Sequence, residues 1–93
     1  MKVKTPAEGG VVQSVQGRDA GRYYVITEVL NGDFVLVADG RARTLENPKK
    51  KNVKHLRLLP HNISEEGILR DKSFNVRTAH YLKVLAEKVK LED

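Results

Sequence analysis

Five short runs of strand-forming residues, each closed by a turn or a break, fill residues 11–59 of this 93-residue chain. They are VVQSV (11–15), RYYVITEVL (22–30), FVLVA (34–38), RARTLE (41–46) and VKHLRLL (53–59). Asn31-Gly32-Asp33 marks a hairpin, because Asn-Gly readily takes the positive φ angles of a tight turn. Asp39-Gly40 marks a second, with RARTLE as the returning strand. Asn47-Pro48 breaks that strand, Lys49 to Asn52 reads as a basic loop, and Pro60 ends the fifth run. Strands this short, joined this tightly, predict a small and strongly curved barrel with FVLVA near its centre.

Which faces of these strands point inward is less well defined. In the fifth run Leu56 and Leu58 share a face and are expected inside. In the second, Tyr23, Val25, Thr27 and Val29 oppose Tyr24, Ile26, Glu28 and Leu30, and neither set is cleanly polar. One tyrosine of the Tyr23-Tyr24 pair belongs to the core. The other either packs against the C-terminal helix or offers a platform for an unpaired base.

The last third changes period. From Asn75, the apolar residues Ala79, Leu82, Leu85, Ala86 and Val89 fall within about 120° of helical arc. Arg77, His80, Lys83, Glu87, Lys88 and Lys90 take the rest. Ser73 or Asn75 caps the start, and a shorter helical turn is expected from Ser64, where Glu65 and Glu66 suit a helix N-terminus. The stripe needs a cover, and docking on the chain's own barrel is the simpler reading. The expected organisation is a barrel over residues 9–60 and a helical extension over 61–93.

Several function classes drop out. Apolar residues make up 40% of the chain, with two phenylalanines, three tyrosines and no tryptophan. A core of Val, Leu, Ile and Ala on this scale leaves little material for a deep catalytic pocket. There is no cysteine, and His55, His61 and His80 lack metal-ligand spacing, so no metal and no cofactor are expected. No nucleophile stands at a suggestive spacing from a base, and no catalytic residue is assigned. No apolar run approaches the length of a membrane helix, and the opening MKVKTPAEGG lacks a signal-peptide core, which predicts a cytoplasmic protein without a membrane partner.

Charge points to a partner. Arg41, Arg43, Lys49, Lys50, Lys51, Lys54 and Arg57 share their segment with one acid, Glu46, for a local charge of +6. The whole chain carries +5, so everything outside the segment sums to −1. So concentrated an excess is the footprint expected of a phosphate-binding patch. The corner GRDAGR (17–22) adds to it. Gly17 and Gly21 permit a tight reversal and Asp19 suits an Asx-type turn, while Arg18 and Arg22 flank a backbone that a phosphate can approach.

GGVVQSVQGRDAGRYYVI (9–26) resembles a KOW motif, the strand–loop–strand element of several ribosomal proteins and transcription-elongation factors. The following LVADGRARTLENPKKKNVKHL, through VADG, PKKK and NVKHL, is similar to small bacterial KOW-domain proteins and to eukaryotic and archaeal large-subunit ribosomal proteins of the L-fourteen-e type. The resemblance covers residues 9 to about 59. It implies a mainly β fold, an SH3-like five-stranded barrel with a C-terminal α-helix, that binds RNA through its loops. Gly21 would be the turn glycine, and Arg18, Arg22, Lys49, Lys50, Lys51, Lys54 and His55 the contacts, joined by Arg41, Arg43 and Arg57 of the basic segment. Ala20 departs from the lysine common before the second glycine, which places the main grip at Lys49–Lys51 with Lys54. The expected partners are RNA, ribosomal above all, and ribosomal or translation proteins. A protein-interaction module of the same fold, as a dimer or assembly subunit, is the alternative, duplex DNA a third candidate, and the oligomeric state stays open.

Overall fold

The computed structural model describes residues 5–63 and 73–92. Five antiparallel strands, β1 (Gly10–Ser14), β2 (Tyr23–Val29), β3 (Phe34–Ala38), β4 (Lys49–Asn52) and β5 (Leu56–Asn62), form one sheet in the order β4-β3-β2-β1-β5. The two edge strands are consecutive in sequence, separated by the 3-10 turn Val53–His55. Chain from Asn52 to Leu56 reaches at most about 14 Å, so the sheet must curl until its edges approach. The Val15 amide donates to the His55 carbonyl (2.9 Å) and the Val53 amide to that of Asp33 (2.8 Å), fixing the turn to both sides of the curl. The result is the expected small SH3-like barrel.

The second strand carries no clean polar face because both of its faces are covered over Tyr23–Ile26, and only its end, Glu28 and Val29, is exposed. Tyr24 and Ile26 join Val12, Val35, Val37 and Leu56 inside the barrel, with Val53 and Leu58 packed against them. On the opposite face Val25 joins Val11, Ala38, Ile63, Phe74 and Leu82, with Tyr23, Leu45, Leu59, Tyr81 and Leu85 packed around them. Helix α1 (Phe74–Glu92) supplies much of this second cluster, so the barrel itself covers the Leu82 and Leu85 stripe. Leu56 and Leu58 point inward as their shared face implies. The tyrosines divide as alternation requires: Tyr24 is buried inside the barrel and Tyr23 half-buried under the helix.

Four sequence expectations need correction. RARTLE is irregular, and the returning strand is the supposed basic loop, whose Lys49, Lys50 and Lys51 pair with Val37, Leu36 and Val35. Leu45 is drawn instead to the helix cluster, where its amide donates to Asn75 Oδ1 (2.8 Å). Pro60 lies within β5 rather than ending it. It is tolerated because β5 is an edge strand and its register against β1 shifts there, from Val12↔Leu58 to Gly10↔Asn62, leaving no ladder bond for the missing N–H. The 31–33 turn closes its hairpin without positive φ at Asn31 or Gly32. Asn31 Oδ1 accepts the amides of Asp33 (2.7 Å) and Phe34 (3.0 Å), so a side chain does what backbone twist was expected to do.

The helix begins at Phe74, one residue after Ser73, and the side chain of Asn75 is engaged elsewhere. Besides accepting from Leu45, it donates to the Glu46 carboxylate (2.9 and 3.2 Å), which ties the 41–48 loop to the first turn. The turn expected from Ser64 lies outside the described residues. Thr78 is fully buried in α1 and its hydroxyl has no hydrogen-bond partner. Thr78→Val removes an unsatisfied group and keeps the shape, so it is expected to stabilise the fold by about 1 kcal/mol in urea unfolding.

Candidate nucleic-acid interface

The corner between β1 and β2 is a tight loop with its acid turned inward. Gly17 and Gly21 take φ +87° and +94°. The Ala20 amide donates to the Gly17 carbonyl (3.2 Å), Arg22 to Asp19 (3.0 Å) and Gly21 to Ser14 (2.7 Å). Both glycines therefore serve the reversal, while Arg18, Ala20 and Arg22 stand exposed.

Asp19 does not form the Asx-type turn expected of it. Its Oδ1 accepts from Ser14 Oγ (2.8 Å) and Lys51 Nζ (2.9 Å), and its Oδ2 from Tyr24 Oη (2.8 Å) and Lys49 Nζ (3.3 Å). Lys51 Nζ also donates to Ser14 Oγ (3.2 Å). Asp19 is 8% exposed and Lys51 9%, so the pair is internal. Burial alone would raise the Asp19 pKa. Hydrogen bonds from Lys51, Ser14 and Tyr24, with the lysine's charge, outweigh that and hold the carboxyl well below the usual carboxylate range. Burial first, then the bond to Asp19 and its charge, push Tyr24 up to about 12.

This cluster sorts the basic residues. Lys49 and Lys51 face Asp19 from β4, whereas Lys50, on the opposite face of that strand, is exposed and lies 4.5 Å from the Phe34 ring centroid. Lys54, His55 and Arg57 are exposed in and beyond the 3-10 turn. Arg41 is exposed and Arg43 half-buried beside Asp39, whose Oδ1 accepts both their amides (2.8 and 2.9 Å). Among the described residues, Arg18, Arg22, Arg41, Lys50, Lys54 and Arg57 make no ion pair. Unpaired surface cations on loops and strand ends are suited to phosphate contact at no cost to the core.

Sequence reasoning missed the organising role of Asp19. Its partners lie as much as 32 residues away, and only Ser14 and Tyr24, five residues to either side, left a local trace. It also missed Lys83, which faces the same groove as Arg22 and Arg41. Among the described residues no group of three or more His, Asp or Glu is placed to hold a metal, and no helix is long and apolar enough to cross a membrane.

A glycine-cornered β1–β2 unit opening a curled five-stranded sheet, with cations on its loops and a helix across one face, defines a KOW-domain protein with an SH3-like barrel. No family model matches the chain. It is, however, similar to the large ribosomal subunit protein eL14 of three archaea. Identity is 31% over 68 residues with that of Desulfurococcus amylolyticus and 34% over 68 residues with that of Staphylothermus marinus, each match covering 67% of this chain and 71% of the relative. With the Hyperthermus butylicus protein it is 27% over 86 residues, 90% of this chain and 88% of the relative. The chain belongs to the eL14 family.

Proposed function

We propose that this chain is a non-catalytic, RNA-binding structural component of the large ribosomal subunit, working in the cytoplasm and holding ribosomal RNA by its phosphates. The observation that carries the reading is the set of exposed cations, Arg18, Arg22, Arg41, Lys50, Lys54 and Arg57, unpaired among the described residues, on a chain whose relatives are large-subunit proteins. His55 and the half-buried Arg43 lie at the margins of that set. Lys51 contributes from beneath, by keeping the corner and β4 in register, and Lys49, partly exposed beside Asp19, adds to the surface charge. On this reading the barrel, expected over residues 9–60 and carried by β5 to Asn62, faces the RNA, and α1 packs against it. Recognition follows the shape and charge of the RNA rather than a base code.

Salt titration against large-subunit ribosomal RNA fragments tests the reading. If three to five phosphates of single-stranded segments are neutralised, log K falls against log salt with a slope of about −2 to −3.5. The triple variant Lys50→Glu, Lys54→Glu, Arg57→Glu is expected to reduce the slope by about 2 while leaving the unfolding midpoint nearly unchanged. A salt-indifferent association would instead support a protein-interaction module. That second reading draws on Val76 and Val84, which are 76% and 48% exposed and two helical turns apart on the outer side of α1.

A further inference from the structure

Where the helix leaves the corner of the barrel there is an open groove of about 580 Å³, within the range of roughly 300–1,000 Å³ typical of small-ligand sites. Its apolar part is built from Tyr23, Leu82 and Ala86, and Arg22, Arg41 and Lys83 bring three cations to it. Asp39 also lines it, but one of its carboxylate oxygens accepts the backbone amides of Arg41 and Arg43 (2.8 and 2.9 Å). The groove is therefore cationic on balance. None of its three cations is ion-paired among the described residues, although each comes from a different element: the corner, the 39–43 turn and the helix.

We propose that this groove receives one unpaired nucleotide of the bound RNA, with the base against Tyr23, Leu82 and Ala86 and the phosphate among Arg22, Arg41 and Lys83. This inference rests on the RNA-binding reading above. Two features select a nucleotide over other anions. A flat apolar body matches the tyrosine and the small residues of the helix, and two guanidinium forks match phosphate oxygens in a way that point charges do not. The dimensions suit a single nucleotide rather than a duplex. Stacking on a side chain tolerates any base, so the site sets where the strand is unpaired, not which base it carries.

The test uses the full chain and two fluorescein-labelled probes, single-stranded hexa-adenylate and a blunt RNA duplex, read by anisotropy at low salt. Circular dichroism checks that each variant folds. Tyr23→Leu, which keeps apolar volume but removes the ring face, and Ala86→Leu, which fills the groove, are each expected to weaken hexa-adenylate binding about 5- to 100-fold. Both should leave duplex binding within about twofold of the unmodified chain, because the duplex uses the outer cations. Lys83→Glu, at an exposed position that does not threaten the fold, should weaken hexa-adenylate more than duplex. Lys50→Glu, outside the groove, should weaken both. If the groove variants bind hexa-adenylate like the unmodified chain while Lys50→Glu weakens both probes, the groove assignment fails and the RNA reading stands. If the unmodified chain binds neither probe, both fail. Amide chemical shifts at Gly21, Tyr23 and Lys83 that respond to a glutamate-rich peptide but not to hexa-adenylate would overturn the assignment in favour of a protein partner.

Discussion

Asp19→Ala is expected to destabilise the protein by about 3–5 kcal/mol, among the largest effects of any single substitution outside the apolar core. Removing the carboxylate leaves the buried Lys51 ammonium without a counter-charge and deprives Tyr24 Oη of its acceptor, while Ser14 Oγ keeps only the Gln16 carbonyl (3.1 Å). The cost is that of an uncompensated buried charge, not the net worth of the ion pair, and a double-mutant cycle separates the two. Lys51→Met alone should be costly, yet Asp19→Asn combined with Lys51→Met should cost less than the sum of the single changes. Urea unfolding of the four proteins at pH 7 measures the coupling, and strict additivity would remove the network from the account.

Acid supplies an independent measure of the same group. The folded-state pKa of Asp19 is depressed below its ordinary value of 3.8. Its contribution is therefore fully present above about pH 5 and is lost as the pH falls through and below 4, where the unfolded chain takes up the proton first. The stability difference between the unmodified protein and Asp19→Asn should accordingly shrink steadily from pH 5 to pH 2. A difference independent of pH over that window would mean that the carboxylate is not held charged by its partners.

The same cluster explains what the sequence conveys and what it conceals. Tight turns, short apolar runs and the period of the last third depend on local chemistry, and they place the barrel, the corner glycines and the helix correctly. β4 was hidden because KKKN has a composition that normally signals a solvated loop. Lys51 turns inward only because Asp19, far back in the chain, waits there. RARTLE looked like a strand, but Leu45 and Glu46 are bound to the first turn of α1. Of the candidate contacts, the exposure of Arg18, Arg22 and Lys54 could be anticipated from turns and polarity. The inward aim of Lys49 and Lys51, and the meeting of Lys83 with Arg22 and Arg41, are tertiary facts without a local signature. A charge reversal across all three of Lys49, Lys50 and Lys51 would consequently confuse lost binding with lost fold, since it sets new carboxylates against Asp19.

Gly40→Ala is the second large effect, and three glycines together isolate its cause. Gly32 has no positive φ, and a Cβ placed there would meet no atom within 4 Å, so Gly32→Ala should be neutral or stabilising by a few tenths of a kcal/mol. Gly21 has φ +94° and open space around it, so Gly21→Ala should cost about 1–2 kcal/mol for the left-handed backbone alone. Gly40 has φ +81°, and a Cβ there would strike the Asn75 carbonyl oxygen and lie 3.0 Å from the Ala79 amide nitrogen. Backbone strain then adds to forced separation of the helix from the 39–43 turn, for about 2–5 kcal/mol in all. Because the clash is with the backbone of α1, rotamer changes cannot relieve it, and the helix must move. Amide exchange should show protection lost first in α1, with β1, β2 and β3 keeping theirs. That displacement also opens the groove that holds Arg22, Arg41 and Lys83 together, so Gly40→Ala should weaken hexa-adenylate binding while the barrel still binds duplex RNA. Equal loss of protection in helix and barrel would instead show that the two unfold as one cooperative unit.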